Sequence, residues 1–99
     1  MKGFCLLESA FRDLEDGVEF YEQQESGVGI LFYDTLLGEI RLLGNFVGIH
    51  RKRRGFHCYV SKTFPFGVYY RVINEIAEVT AVLDMRRSPR AIARVLKNR

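Results

Sequence analysis

Cysteine is scarce in this chain. Only Cys5 and Cys58 occur, whereas a disulfide scaffold or a structural zinc site asks for four well-spaced ligands. Both thiols are therefore expected to be reduced and buried. His50 and His57 do not supply a metal site, because no Cys or carboxylate stands at ligand spacing around them. No apolar run approaches the roughly 18 residues that a bilayer span needs. Met1 to Glu8 hold a short apolar stretch without a small-residue cleavage site, so no secretory signal and no membrane association are expected. The expected location is the cytoplasm. At 99 residues the chain is read as one domain, residues 1–99, which excludes two-domain enzymes with a cleft between them.

What is present is a soluble globular composition, 47% hydrophobic and 27% charged, with a sharp division of charge. Residues 1–48 carry 3 Lys or Arg against 9 Asp or Glu, and residues 49–99 carry 12 against 3. The front half is acidic and the rear half strongly basic. The basic half is the one suited to meet phosphate or an acidic partner.

Periodicity divides the chain at the same place. Gly3 to Leu7 reads as a short strand, and Ser9 stands where a helix N-cap belongs. Ala10, Phe11, Leu14, Val18 and Tyr21 then recur at helical spacing to about Gln24, with acids on the other face. A second helix is expected over 28–43, with Ile30, Tyr33, Leu37 and Ile40 as its buried stripe and Leu36 and Leu43 widening it. Gly29 and Gly38 each cost that helix about 1 kcal/mol relative to Ala, so packing must hold it. After residue 49 the period becomes 2: Phe56, Cys58 and Val60 alternate with His57, Tyr59 and Ser61, and Val68, Tyr70 and Val72 with Tyr69 and Arg71. Asn74-Glu75 is the expected hairpin turn before a strand from Ile76 to Leu83. Ser88-Pro89 opens a last helix with Ile92, Val95 and Leu96 buried. The expected order is β-α-α-β-β-β-α, an α+β fold with a helical hairpin packed on a small antiparallel sheet.

Such a sheet normally keeps one face exposed. Val68, Tyr70, Val72, Val79, Ala81 and Leu83 are assigned to the helix side, which leaves Tyr69, Arg71, His57, Tyr59 and Thr80 on the open face. Flanked by Arg51, Lys52, Arg53, Arg54 and by Arg86 and Arg87, that face has the composition of a nucleic-acid-binding surface.

The run Phe64-Pro65-Phe66-Gly67-Val68-Tyr69-Tyr70-Arg71-Val72, followed by Ala81-Val82-Leu83-Asp84-Met85-Arg86-Arg87-Ser88-Pro89, resembles the paired signatures of RelE/ParE superfamily toxins of type II toxin-antitoxin systems, the plasmid stabilisation type. Ser9 to Leu14 and Tyr21 to Phe32 match its helical hairpin. The resemblance implies a toxin neutralised by a cognate, co-encoded antitoxin. Its target is either DNA gyrase or the ribosome with its mRNA. It also implies departures: ribonuclease members place an arginine where Gly67 stands and a tyrosine where Ala91 stands, and Asp84 replaces a common histidine. Arg87, or Arg86 if the register slips by one, matches the functional arginine after the last strand.

RNA cleavage through the 2′-hydroxyl needs an acid, a base and cations, and no cofactor. His57 is the candidate for proton transfer. Arg71 and Arg87 are candidates to hold the phosphate, and Tyr69 or Tyr59 to stack a base. Arg71 has an alternative partner in Glu78 across the hairpin. The target-binding set is Arg51, Lys52, Arg53, Arg54, Tyr69, Arg71, Arg86 and Arg87. Three readings follow: a non-enzymatic gyrase toxin, a ribosome-dependent ribonuclease with a variant site, or a silent member that only binds antitoxin or nucleic acid. The missing ribonuclease side chains favour the first.

Overall fold

The 3.6-residue period of the first half becomes two antiparallel helices. In the computed structural model, which describes residues 3–99, α1 spans Glu8–Gln24 and α2 spans Val28–Leu43. Gly27 joins them in the left-handed region, φ 91°, and the Glu22 carboxylate accepts from the N–H groups of Gly27 and Gly29. That carboxylate serves the start of α2 in place of an N-cap side chain. The helices approach closely because a Cβ on Gly17 would stand 2.5 Å from the Phe32 ring, and one on Gly29 would stand 2.7 Å from the Val18 carbonyl oxygen.

The buried residues are Ala10, Leu14 and Gly17 on α1 and Gly29, Phe32, Leu36, Ile40 and Leu43 on α2. The expected α2 stripe was rotated: Ile30 faces solvent and Phe32 takes the core. This helix is apolar on most of its circumference, so periodicity does not choose the side that the sheet receives. Ser9 is not the N-cap either. Leu7 holds that position, because its N–H still bonds Val79 in the sheet while its carbonyl already accepts from Phe11.

Five strands form one sheet in the order β1-β5-β4-β3-β2: β1 Gly3–Leu6, β2 Lys52–Arg53, β3 Phe56–Val60, β4 Phe66–Ile73 and β5 Ile76–Asp84. The sheet is mixed and not purely antiparallel, since β1 pairs parallel to β5. The helical hairpin carries the chain from β1 at one edge of the sheet to β2 at the other. Asn74 and Glu75, with φ of 51° and 65°, make the expected turn. Arg54 and Gly55, with φ of 55° and 87°, make a second two-residue turn and create β2, which adds a strand to the expected order.

One extra residue on β5 decides which side chains face which helix. Tyr69 pairs with Ala81 but Tyr70 pairs with Val79, so Thr80 is a bulge. The period of 2 slips there. Phe66, Val68, Tyr70, Ala77, Val79 and Val82 pack under α1 and α2. Ala81 and Leu83, expected on that side, lie on the opposite face with Phe56, Cys58 and Tyr69. This second face is not open. Helix α3, Pro89–Lys97, covers it with Ile92 and Leu96, and Ser88 caps the helix by accepting from the Ala91 N–H at 3.2 Å.

Beyond Val79 the edge of β5 has lost its strand neighbour, because β1 ends at Leu6. Side chains replace the ladder there. The Asp13 carboxylate accepts from the Val82 N–H at 3.0 Å, and the Thr80 carbonyl accepts from Ser9 Oγ at 2.8 Å and from Arg99 Nη1 at 3.0 Å. Arg99 also grips Asp13 through two bonds, of 2.6 and 2.9 Å. The pair thus joins α1, β5 and the end of the segment that carries α3.

Arg99→Met should destabilise the chain by about 1–3 kcal/mol, because it strands a largely buried carboxylate and takes a donor from the Thr80 carbonyl. Arg12→Ala, which removes only the exposed pair with Glu8, should cost less than about 0.5 kcal/mol. Urea denaturation of both variants measures the contrast, and equal losses would show that the pair has no special weight.

Candidate functional site

Beside α3, on the face of the sheet that it covers, lies a cavity of about 500 Å³ lined by Arg53, Arg54, Tyr69, Met85, Arg87, Pro89 and Ile92. Local chemistry places each part. Arg53 stands opposite Phe56 in the β2–β3 ladder and so shares its face, and the left-handed turn at Arg54-Gly55 holds the next arginine beside it. Arg87 sits in the turn after β5, where its N–H bonds the Asp84 carbonyl at 3.3 Å. Pro89 and Ile92 belong to the first turns of α3. Gly67 abuts the floor: a Cβ there would stand 2.6 Å from Met85 Sδ and 3.2 Å from both Cys58 Sγ and Tyr69 Cε1.

The two arginines after β5 differ in their freedom. Arg86 is bound to Asp84 through Nε at 3.1 Å and Nη2 at 2.7 Å, and this hydrogen bonding holds the Asp84 carboxyl below its ordinary range. Arg87 makes no ion pair among the described residues and lines the cavity. The same side chain borders a second cleft of about 270 Å³, with Asp13, Asp16, Phe20, Phe66 and Asp84. Of the two arginines weighed in the sequence, Arg87 is the available one.

Several expected site residues stand elsewhere. Tyr69 is only 2% exposed, so it is a floor and not a stacking platform. Burial, and Cys58 beside it, push its phenol up to about 12. His57 pairs directly with Tyr70 across β3 and β4, and antiparallel partners point to the same face, so His57 lies on the α1/α2 side. Arg71 projects on the other side, its guanidinium 4.3 Å from the Phe56 ring centroid. It stands opposite Glu78 without an ion pair among the described residues. His57, Arg71 and Arg87 are therefore not one constellation: the sheet separates the imidazole from both arginines. Tyr59 is also on the hairpin side, donating its hydroxyl to Glu39 at 2.8 Å, and burial with this carboxylate raises it to about 12. Of the basic run, Arg53 and Arg54 line the cavity, while Arg51 and Lys52 do not. Lys52 shares the face of His57, its partner.

A contact network absent from the sequence reading lies on the hairpin side. The Gly48 N–H donates to Tyr70 Oη at 3.2 Å, and the same phenol oxygen is hydrogen-bonded to His50 Nδ1 at 2.6 Å. His57 Nδ1 donates to the His50 carbonyl at 2.6 Å, and its ring stacks on Tyr70 at 5.2 Å. The segment after α2 is thereby laid over β4. Burial, and His57 nearby, hold His50 below the ordinary imidazole range. The Gly after Arg54 was the sequence signal that would have exposed the turn forming one wall of the cavity. Met85 and Ile92 carried no such signal, since apolar residues at those positions read simply as core.

No protein-family model matches the sequence, and no curated protein matches it either. Among solved structures, the chain is similar to a chain of the chromosomal ParDE TA system from P. aeruginosa, with a TM-score of 0.73 and 15% sequence identity. The match covers 83% of this chain and 94% of that one. At that identity the likeness establishes the fold alone: the expected α+β architecture of a helical hairpin on a small sheet is present, with β1 parallel and β2 added. No helix is long and apolar enough to cross a membrane among the described residues.

A neutral His50 in the folded chain binds fewer protons than in the unfolded one. Its contribution to stability is present above about pH 6.5 and is lost as pH falls from there through the lowered folded value. The urea midpoint should fall between pH 7.5 and 5, and His50→Gln should make that dependence shallower. An identical pH slope in the variant would remove His50 from the account.

Proposed function

We propose that this chain is the toxin of a type II toxin-antitoxin pair, that it arrests growth by binding DNA gyrase, and that a co-encoded antitoxin neutralises it in the cytoplasm. The fold it has in common with a ParDE chain supports the toxin reading. The observation that carries the choice of a binding mechanism is the lining of the α3-side cavity. Its polar side chains are three arginines and the phenol of Tyr69, which burial pushes up to about 12, and neither a histidine nor a carboxylate stands among them. The imidazole of His57 is on the far side of the sheet.

A surface of this kind holds anions without transforming them. Arginine presents a planar fork of donors that fits a carboxylate or phosphate through two parallel bonds, and apolar Met85, Pro89 and Ile92 exclude water beside it. Gly67 offers no charge to the floor, and the Met85 thioether occupies the space where such a side chain would begin. The contact set is Arg53, Arg54 and Arg87, with Arg71 and Arg86 at the periphery and Arg51 and Lys52 adding long-range attraction. An acidic segment of the antitoxin would compete for the same cations.

Arg87→Ala and Arg53→Ala should each raise the concentration needed to inhibit gyrase supercoiling by about tenfold, the loss of one charge-assisted contact. His57→Ala should leave it within about twofold. Primer extension on translating ribosomes should show no cleavage. Ribosomal A-site cleavage that disappears with Arg87→Ala would replace this reading with a ribonuclease. Inactivity in both assays would leave only the silent, antitoxin-binding reading.

A further inference from the structure

The face of α2 turned away from the sheet is apolar at Ile30, Leu31 and Leu42, which are 68%, 55% and 64% exposed. Asp34, Gly38 and Arg41 complete that face, since they fall opposite the buried Phe32, Leu36 and Ile40 on a helix of 3.6 residues per turn. A helix apolar on both sides is ordinarily covered on both sides.

Gly38 marks the middle of this face and has no reason within the chain. Gly17 and Gly29 are required because a Cβ at either would meet the neighbouring helix. At Gly38 nothing lies within 4 Å of the position that a Cβ would take. A glycine in a helix interior is unfavourable, and its compensation is the close approach of another backbone. The charges identify whose backbone. Neither Asp34 nor Arg41 has an ion-pair partner among the described residues. They stand about one turn before and one turn after Gly38, so the face is complementary to itself in reverse.

We propose that this outer face of α2 is a homodimer interface, in which two copies of the helix cross antiparallel at Gly38 about a two-fold axis. In that arrangement each Asp34 lies beside Arg41 of the other copy, and Leu31 lies toward its Leu42. A parallel pairing would set Asp34 against Asp34. Two-fold symmetry makes the contact isologous and closed. It lies on a different surface from the arginine-lined cavity, so it stands or falls independently of the target proposed above.

Sedimentation velocity of the purified full chain tests it over loading concentrations from about 1 to 200 µM. A reversible monomer–dimer equilibrium is expected. Asp34→Arg should weaken dimerisation at least about tenfold, and the double variant Asp34→Arg with Arg41→Asp should return it to within about threefold of the parent. Gly38→Gln should abolish the dimer while the monomer, measured at the lowest concentration, melts no lower than the parent. A monomer at every concentration overturns the proposal. A dimer that ignores Asp34→Arg, is not rescued by the double variant or survives Gly38→Gln overturns it equally.

Discussion

The sheet depends on how one strand edge is closed. Strand β1 accompanies β5 only as far as Leu6, because the chain must leave the sheet to begin α1. The polar backbone of β5 beyond that point would otherwise be left unpaired in a partly buried setting, where such a group is costly. Asp13, Ser9 and Arg99 replace the missing strand, and Asp13 with Arg99 can do so because each also neutralises the other's charge. The start of α1, the path of β5 and the seating of α3 thus share one cluster of bonds.

The bulge at Thr80 belongs to the same cluster. An extra residue turns the remainder of β5 over, and this sends Ala81 and Leu83 away from the helical hairpin. With Phe56, Cys58 and Tyr69 they form an apolar patch that α3 covers through Ile92 and Leu96. Without the bulge, this patch would be divided between the two faces. The Thr80 carbonyl is then aimed at the Ser9 hydroxyl and the Arg99 guanidinium. Local irregularity and long-range anchoring are therefore a single feature.

Charge follows the layers. Most acids lie on α1 and α2, and the arginines gather at the β2–β3 turn, after β5 and along α3. The chain accordingly presents an acidic helical layer and a basic margin, with Arg87 at the boundary between the arginine-lined cavity and the cleft bordered by Asp13, Asp16 and Asp84. Arg53, Arg54 and Arg87 stand on or beside short turns whose backbone is set by Gly55 and by the Ser88-Pro89 cap.

By itself the sequence determined what local interactions determine: the two helices of the hairpin to within about a residue, the Asn74-Glu75 turn, the Ser88-Pro89 start of α3, and the basic character of the second half. Each rests on a period, a cap or a turn complete within a few residues. The sides of strands and helices were not legible. One bulged residue reverses strand alternation, an almost wholly apolar α2 offers no single stripe, and pairing of His57 with Tyr70 placed the imidazole beneath the segment after α2. Nor could any window join Asp13 to Arg99, which are 86 positions apart. Tertiary structure decided these because they are contacts between elements. Which face a side chain occupies depends on register and on what covers that face, and both are set only when the whole sheet assembles.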